Sequence, residues 1–139
     1  MSKAATPYIR LSGSIERVVD EAEAARRQMN AGLIPDDLLV KLIENGRHRE
    51  TDHWPVVKLY TPDAQCTWLL TELDEDGDTL FGLADLGMQC PELGYVSLAE
   101  LESVRGKLGL PIERDLHFTS DRPLSQYTEA ARRKGYIDA

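Results

Sequence analysis

Between Pro55 and Val96 the hydrophobic pattern runs at a period near two and is interrupted only by turn formers, which limits this chain to a sheet of short, hairpin-connected strands. Val56-Val57-Lys58-Leu59-Tyr60 is followed by the turn Thr61-Pro62-Asp63-Ala64, and then by an apolar run from Cys66 to Leu73. The acidic run Asp74-Glu75-Asp76-Gly77-Asp78 belongs at a hairpin tip, where Gly77 can take the positive φ that a tight turn requires. Thr79 to Leu86 resumes the strand pattern, and Gly94-Tyr95-Val96 reads as a fourth, short strand. Connections this short join neighbours antiparallel.

The flanking segments read as helices. Leu11, Ile15, Val18, Val19, Ala22 and Met29 recur at three- and four-residue intervals, so Ser12 to Asn30 forms an amphipathic helix. A second helix opens at Pro35, with Asp36 and Asp37 at its positive end and Leu38, Leu39, Leu42 and Ile43 as its apolar stripe, and Asn45-Gly46 ends it. Arg47 to Trp54 is a polar surface loop. Ser97-Leu98-Ala99-Glu100 fits a capping box that launches a short helix through Leu101 and Val104, stopped by Gly106. Asp115 to Thr119 reads as a last strand, and Pro123 introduces a weakly apolar helix from Leu124 to Lys134. The expected fold is a single α+β domain: a small, mainly antiparallel sheet of three to five strands, covered on one face by the Pro35 and Ser97 helices. Its parts are an N-terminal helical extension over 1–32, a core over 33–125 and a C-terminal helix or tail over 126–139.

At 139 residues the chain suits one domain, and 24 Asp and Glu against 16 Lys and Arg give it a formal charge of −8. That charge argues against broad nucleic-acid binding, which draws its affinity from cations displacing counterions. The apolar runs are far shorter than the roughly 20 residues that span a bilayer, and no apolar stretch of a secretory signal follows Lys3. The expected compartment is the cytoplasm, where the unclustered Cys66 and Cys90 read as small buried hydrophobes. The first helix, whose apolar stripe needs a surface to cover, is the natural element through which two copies would pair.

Several constellations could carry chemistry. The tip carboxylates Glu72, Asp74, Glu75, Asp76 and Asp78 alternate in a way that suits Ca²⁺ or Mg²⁺, but every calcium-loop register fails: with Asp74 at position one, position six is Thr79 and position twelve is Asp85. They read better as a solvated surface that imitates spaced phosphates to a protein partner. Glu113, Asp115 and His117 would share one face of a strand, with Leu116 and Phe118 packed on the other, and with Glu100, Glu102 and Arg105 nearby they could supply an acid, a base and an anion clamp. The same alternation suits the wet face of an antiparallel sheet. His48 and His53, beside Glu50 and Asp52, lack metal-ligand spacing. No nucleophile elbow and no phosphate-cradling glycine loop is present, so neither a cofactor nor a metal is expected. Arg26-Arg27, Arg47-His48-Arg49 and Arg132-Arg133-Lys134 could meet phosphate if folding gathered them. Trp68 and Tyr95 are expected in the core, whereas Trp54 beside Pro55 is expected to be an exposed aromatic anchor for a partner.

The block Thr61-Pro62-Asp63, Thr67-Trp68, Asp76-Gly77-Asp78, with the long run Glu92-Leu93-Gly94-Tyr95-Val96-Ser97-Leu98-Ala99-Glu100-Leu101-Glu102-Ser103-Val104-Arg105-Gly106 and then Gly109-Leu110-Pro111-Ile112-Glu113-Arg114-Asp115-Leu116-His117-Phe118, resembles a bacterial domain family of unknown function that is common on plasmids and integrative elements. The resemblance runs from Leu33-Ile34-Pro35 through Leu124-Ser125 and brings no assigned active site. It implies an accessory gene of mobile DNA. The expected function is therefore a non-enzymatic interaction protein that inhibits a host defence complex, of the anti-CRISPR or anti-restriction type, or a nucleic-acid-handling complex. Two alternatives stand beside it: a small metal-dependent hydrolase or nuclease using Glu113, Asp115 and His117, and a nucleic-acid-binding accessory protein using the arginine runs.

Overall fold

The computed structural model describes residues 32–139. The expected helix over Ser12–Asn30, its Arg26-Arg27 pair and any pairing of copies through it lie outside the described residues. Pro35 opens α1 (Asp36–Gly46): it has no N–H to leave unpaired, and its carbonyl accepts from Leu38 and Leu39 N–H (3.1 and 3.0 Å). Four strands follow as a meander, β1 (Val57–Tyr60), β2 (Thr67–Leu73), β3 (Thr79–Asp85) and β4 (Glu92–Ser97). Then come α2 (Leu98–Ser103), β5 (Glu113–Arg114) and α3 (Leu124–Lys134). The sheet is antiparallel throughout, in the order β4-β3-β2-β1-β5, so β4 forms one edge and the two-residue β5 the other.

Register decides which side chains share a face. Leu70 pairs with Val57 and Gly82, and Gly82 with Gly94, on one face; Leu69 pairs with Leu83, and Leu83 with Leu93, on the other. The first face packs under α1 and α2, joining Leu39, Leu42, Leu98 and Leu101 to Leu59, Trp68, Leu70, Leu73 and Leu80. The second packs under α3, where Leu124, Tyr127 and Ala131 meet Leu69 and Leu83. β2 is thus buried from Trp68 to Leu73 and reads as a continuous apolar run, with Thr71 in a register shift between Leu70 and Glu72.

The α+β class, the antiparallel sheet and the shared face of the Pro35 and Ser97 helices are as the sequence implies, while α3 adds a third layer that its weak apolar pattern did not announce. Three local expectations are corrected. The last strand is Glu113–Arg114 in place of Asp115–Thr119, because the Asp115 carboxylate accepts from His117 N–H (2.9 Å) and turns the chain out of the sheet. Leu116 is accordingly 71% exposed, and only Phe118 packs against the core. Tyr95 is 63% exposed, because β4 is an edge strand that no helix fully covers. Cys90 is also exposed, in the loop before β4, and Cys66 is half-buried; both are free.

Candidate functional site

The acidic tip is largely occupied by the fold itself. Asp76 accepts from the N–H groups of Asp78 and Thr79 (2.8 and 2.9 Å) and from the Thr79 hydroxyl (2.7 Å), closing the turn in which Gly77 has φ +76°. Burial pushes the Asp76 carboxyl up, but these hydrogen bonds and the nearby Arg49 charge outweigh it and hold the group below its ordinary value. Asp78 accepts from the Ser97 hydroxyl (2.7 Å) and Ala99 N–H (2.9 Å), and Ser97 Oγ accepts from Glu100 N–H (3.2 Å), so one hairpin tip caps the next helix. The loop after α1 neutralises two more carboxylates, Asp74 by an ion pair with Arg49 and Glu75 by Arg47 at 3.3 Å.

That loop also meets Glu72, which is only 7% exposed. Burial raises the Glu72 carboxyl above its ordinary value, opposed by the charges of His53 and Arg49 and reinforced by Glu50. A carboxyl whose pKa is raised on folding is an asset below the unfolded value and a growing liability as pH climbs through the folded one. Glu72→Gln should therefore raise the melting temperature at pH 7 and lose that advantage near pH 4. Equal gains at both pH values would show that charge burial is not the cause. The neighbouring histidines serve the framework: His53 Nε2 bonds the His48 carbonyl (2.8 Å), and Asp52 accepts from Ser125 N–H (3.1 Å) and the Ser125 hydroxyl (2.5 Å), capping α3. Trp54, beside them, is 52% exposed, as its polar surroundings imply.

Glu113 closes the sheet in β5, and Asp115 and His117 follow in the turn beyond it. Glu113 lies opposite Tyr60 and accepts its hydroxyl (3.0 Å), a bond that raises the Tyr60 phenol above its ordinary value. Asp115 is held low, first by the His117 N–H and then by Lys58 at 3.5 Å. The His117 ring lies exposed in the turn beyond the strand. Lys58, Tyr60, Thr67, Asp85 and Asp115 line a cleft of about 760 Å³ beside the chain after α3. Its charges are matched from within: Lys58 Nζ also donates to the Ala139 oxygen (2.6 Å), and Asp85 accepts from Gly87 and Ile137 N–H (2.9 and 3.0 Å). Among the described residues no three His, Cys, Asp or Glu side chains form a group able to hold a metal ion. Arg47 and Arg49 face the tip carboxylates, and Arg132, Arg133 and Lys134 sit in the last turn of α3, where the helix dipole favours cations.

Asp63 takes the same structural part in the turn between β1 and β2. Its Oδ2 accepts from Leu108 and Leu110 N–H (2.7 and 3.4 Å), pinning the loop between α2 and β5. A Cβ on Gly106 would lie 1.6 Å from Asp63 Oδ1, so only glycine lets that loop sit against the carboxylate.

One exposed part of the surface is apolar. β4 and the loop before it expose Leu86, Met88, Leu93 and Tyr95, with Met88 at 70% and the Tyr95 ring 5.1 Å from that of Phe81. Neither Leu93 nor Met88 stands out in the sequence; the legible signal was that the last strand of a meander must be an edge, and that this one carries apolar residues without a charge inside it.

The family model described as protein of unknown function (DUF2958) matches residues 33–138. The chain belongs to this family. Its match ends well past Ser125, so α3 and the segment that bonds Asp85 are part of the family domain. No curated protein and no solved structure is significantly similar to the chain. Within the family domain, Asp63, Asp76, Gly77, Asp78, Ser97 and Gly106 close turns, cap α2 or hold a loop. No helix of the described residues is long and apolar enough to cross a membrane.

Proposed function

We propose that this DUF2958 chain is a non-enzymatic interaction protein of mobile genetic elements that binds and inhibits a host complex, either a defence complex of the anti-CRISPR or anti-restriction type or one that handles nucleic acid. The observation that carries the binding reading is the contiguous exposed strip Leu86, Met88, Leu93 and Tyr95 along an open sheet edge, with Trp54 a further exposed aromatic elsewhere on the domain. The mobile-element setting rests on the sequence resemblance. The inhibitory reading is supported by the charge of −8, which attracts basic, nucleic-acid-binding surfaces and speeds encounter with them. Because Asp74, Asp76 and Asp78 are engaged within the fold, this attraction is a property of the whole surface more than of the hairpin tip.

The test is capture from bacterial cytoplasm with the tagged full chain, wild type beside Leu93→Ser/Tyr95→Ser and Trp54→Ser, read by mass spectrometry at low and moderate salt. We expect a specific host complex with the wild type, weaker capture at higher salt, and loss on the β4 double substitution of at least tenfold, as for truncated aromatic anchors. Enrichment of no protein, or equal enrichment by every variant, would overturn the reading.

A further inference from the structure

We infer that β4 is a docking edge for an extended segment of the partner protein, which adds to the sheet as a sixth strand and alternates a large apolar side chain on the α1 and α2 face with a carboxylate on the α3 face. This deepens the binding reading above and rests on it.

The edge itself is open and unguarded. Among the described residues β4 pairs with β3 alone, in an unbroken register from Thr79↔Ser97 to Ala84↔Glu92. Natural edge strands are usually protected by a bulge, an internal proline or lysines. β4 has none of these, and its single charge is Glu92 at the first position. An open row of backbone N–H and C=O groups of this length is what strand addition uses for affinity, while pockets on the two faces supply specificity.

On the first face Gly94 lies beside Gly82, so two adjacent strands lack side chains at the same level. The result is a hollow of about 300 Å³ whose walls include Trp68, Leu70, Ala84, Met88 and Val96. A Cβ built on Gly94 meets nothing within 4 Å, which confirms that the space above it is empty. An aromatic or long aliphatic side chain from a neighbouring strand would cover such a glycine, as cross-strand aromatics do in sheets. On the second face, Leu93 and α3 enclose a groove of about 380 Å³ lined by Ser125, Thr128, Glu129, Arg132 and Arg133. Glu129 offsets Arg133 across 3.9 Å, and the groove retains an excess positive charge at Arg132 and Arg133, in a domain that is otherwise acidic. A carboxylate is the complement to that groove, and the period-two geometry of a strand places it next to the apolar residue that fills the hollow. A second copy of β4 fits less well: it would bring Gly94 to the hollow and Leu93 or Tyr95 to the arginines.

The probe is a blocked peptide of about eight residues, the length of an ordinary strand, alternating Phe with Glu, titrated into the isotope-labelled full chain to about 1 mM. Its controls are the same peptide with Lys for Glu, and with alternate backbone amides N-methylated. We expect the Phe/Glu peptide to slow amide exchange in β4 and shift its resonances, the Lys peptide to bind at least tenfold more weakly, and the N-methylated peptide not to bind. Gly94→Phe, which fills the hollow from within at a position with no positive φ, should keep the melting temperature and abolish binding. Arg132→Glu/Arg133→Glu should reverse the preference between the Glu and Lys peptides, a swap that general loosening of the fold would not produce. Resonance shifts outside β4 and its pockets, no binding by the Phe/Glu peptide, or an unchanged preference after the charge swap would each overturn strand addition. So would a host complex captured equally by wild type and Gly94→Phe, although the broader binding reading would then stand. Failure to capture any host protein overturns that broader reading instead.

Discussion

Gly82→Ala should cost at least about 3 kcal/mol, at the upper end of what overpacking does, and lower the melting temperature by roughly 15 °C or more. Gly82 lies in β3 between Leu70 and Gly94, beside the register shift that follows Leu70. There the backbone of β2 approaches so closely that a Cβ would stand 2.0 Å from the Leu69 carbonyl oxygen and 2.9 Å from Leu70 Cα. Those atoms belong to the most buried strand of the sheet and cannot swing aside as a side-chain tip could. Thermal and urea unfolding of the full chain check this. The matched control is Gly94→Ala, which meets no neighbour within 4 Å and should change stability by less than about 0.5 kcal/mol. Comparable losses at the two glycines would mean that strand propensity, and not the approach of β2, decides the cost.

Asp78→Ala is the second large effect, expected at about 2 to 3 kcal/mol. The substitution removes the acceptor for Ala99 N–H in the first turn of α2 and releases Ser97, whose own oxygen caps Glu100 N–H. It also loosens the tie between the β2–β3 tip and a helix that buries Leu98 and Leu101 in the larger core. Ser97→Ala alone should cost about 1 kcal/mol. The double substitution should cost less than the sum, because the two side chains act on the same turn and bond each other at 2.7 Å. Strict additivity in a double-mutant cycle would mean that the two caps work independently.

Much of the framework was legible because its signals are local. Strands β1 and β3 follow from alternation and β2 from an apolar run, each bounded by turn formers, and Gly77 follows from the demand of a tight turn. Ser97 was recognisable as the N-cap from its own neighbourhood. Its second support, Asp78, lies 19 residues upstream and depends on the Thr79↔Ser97 register, which no local pattern specifies. The partners of the acidic tip are hidden for the same reason. Five carboxylates in seven residues do not announce that the loop after α1 folds across and sets Arg47 and Arg49 against Glu75 and Asp74. Asp115 fails in the opposite direction: alternation suggested a strand, but a short acceptor two residues before a free N–H formed a turn instead. Tyr95 could be read as core only while strand order was unknown. Once β4 is placed at the edge, Tyr95 becomes, with Leu93, part of an exposed apolar surface.

The connectivity of the sheet also bears on the order in which the fold assembles and comes apart. β1 to β4 are spatial neighbours in the order of synthesis, whereas β5 must travel back across the molecule to reach β1, and α3 is secured by Asp52 from 73 residues upstream. Distant closures incur their loop entropy before they gain contacts, so the meander should form early and β5 and α3 should seal it late. In reverse, these two are the first to release, as a cooperative unit with a lower opening free energy than the hairpins. Amide exchange should therefore be faster in α3 than in β2, and each brief detachment of α3 uncovers Leu69 and Leu83. The sheet then has one permanently roofed face and one that opens and closes during the life of the native state.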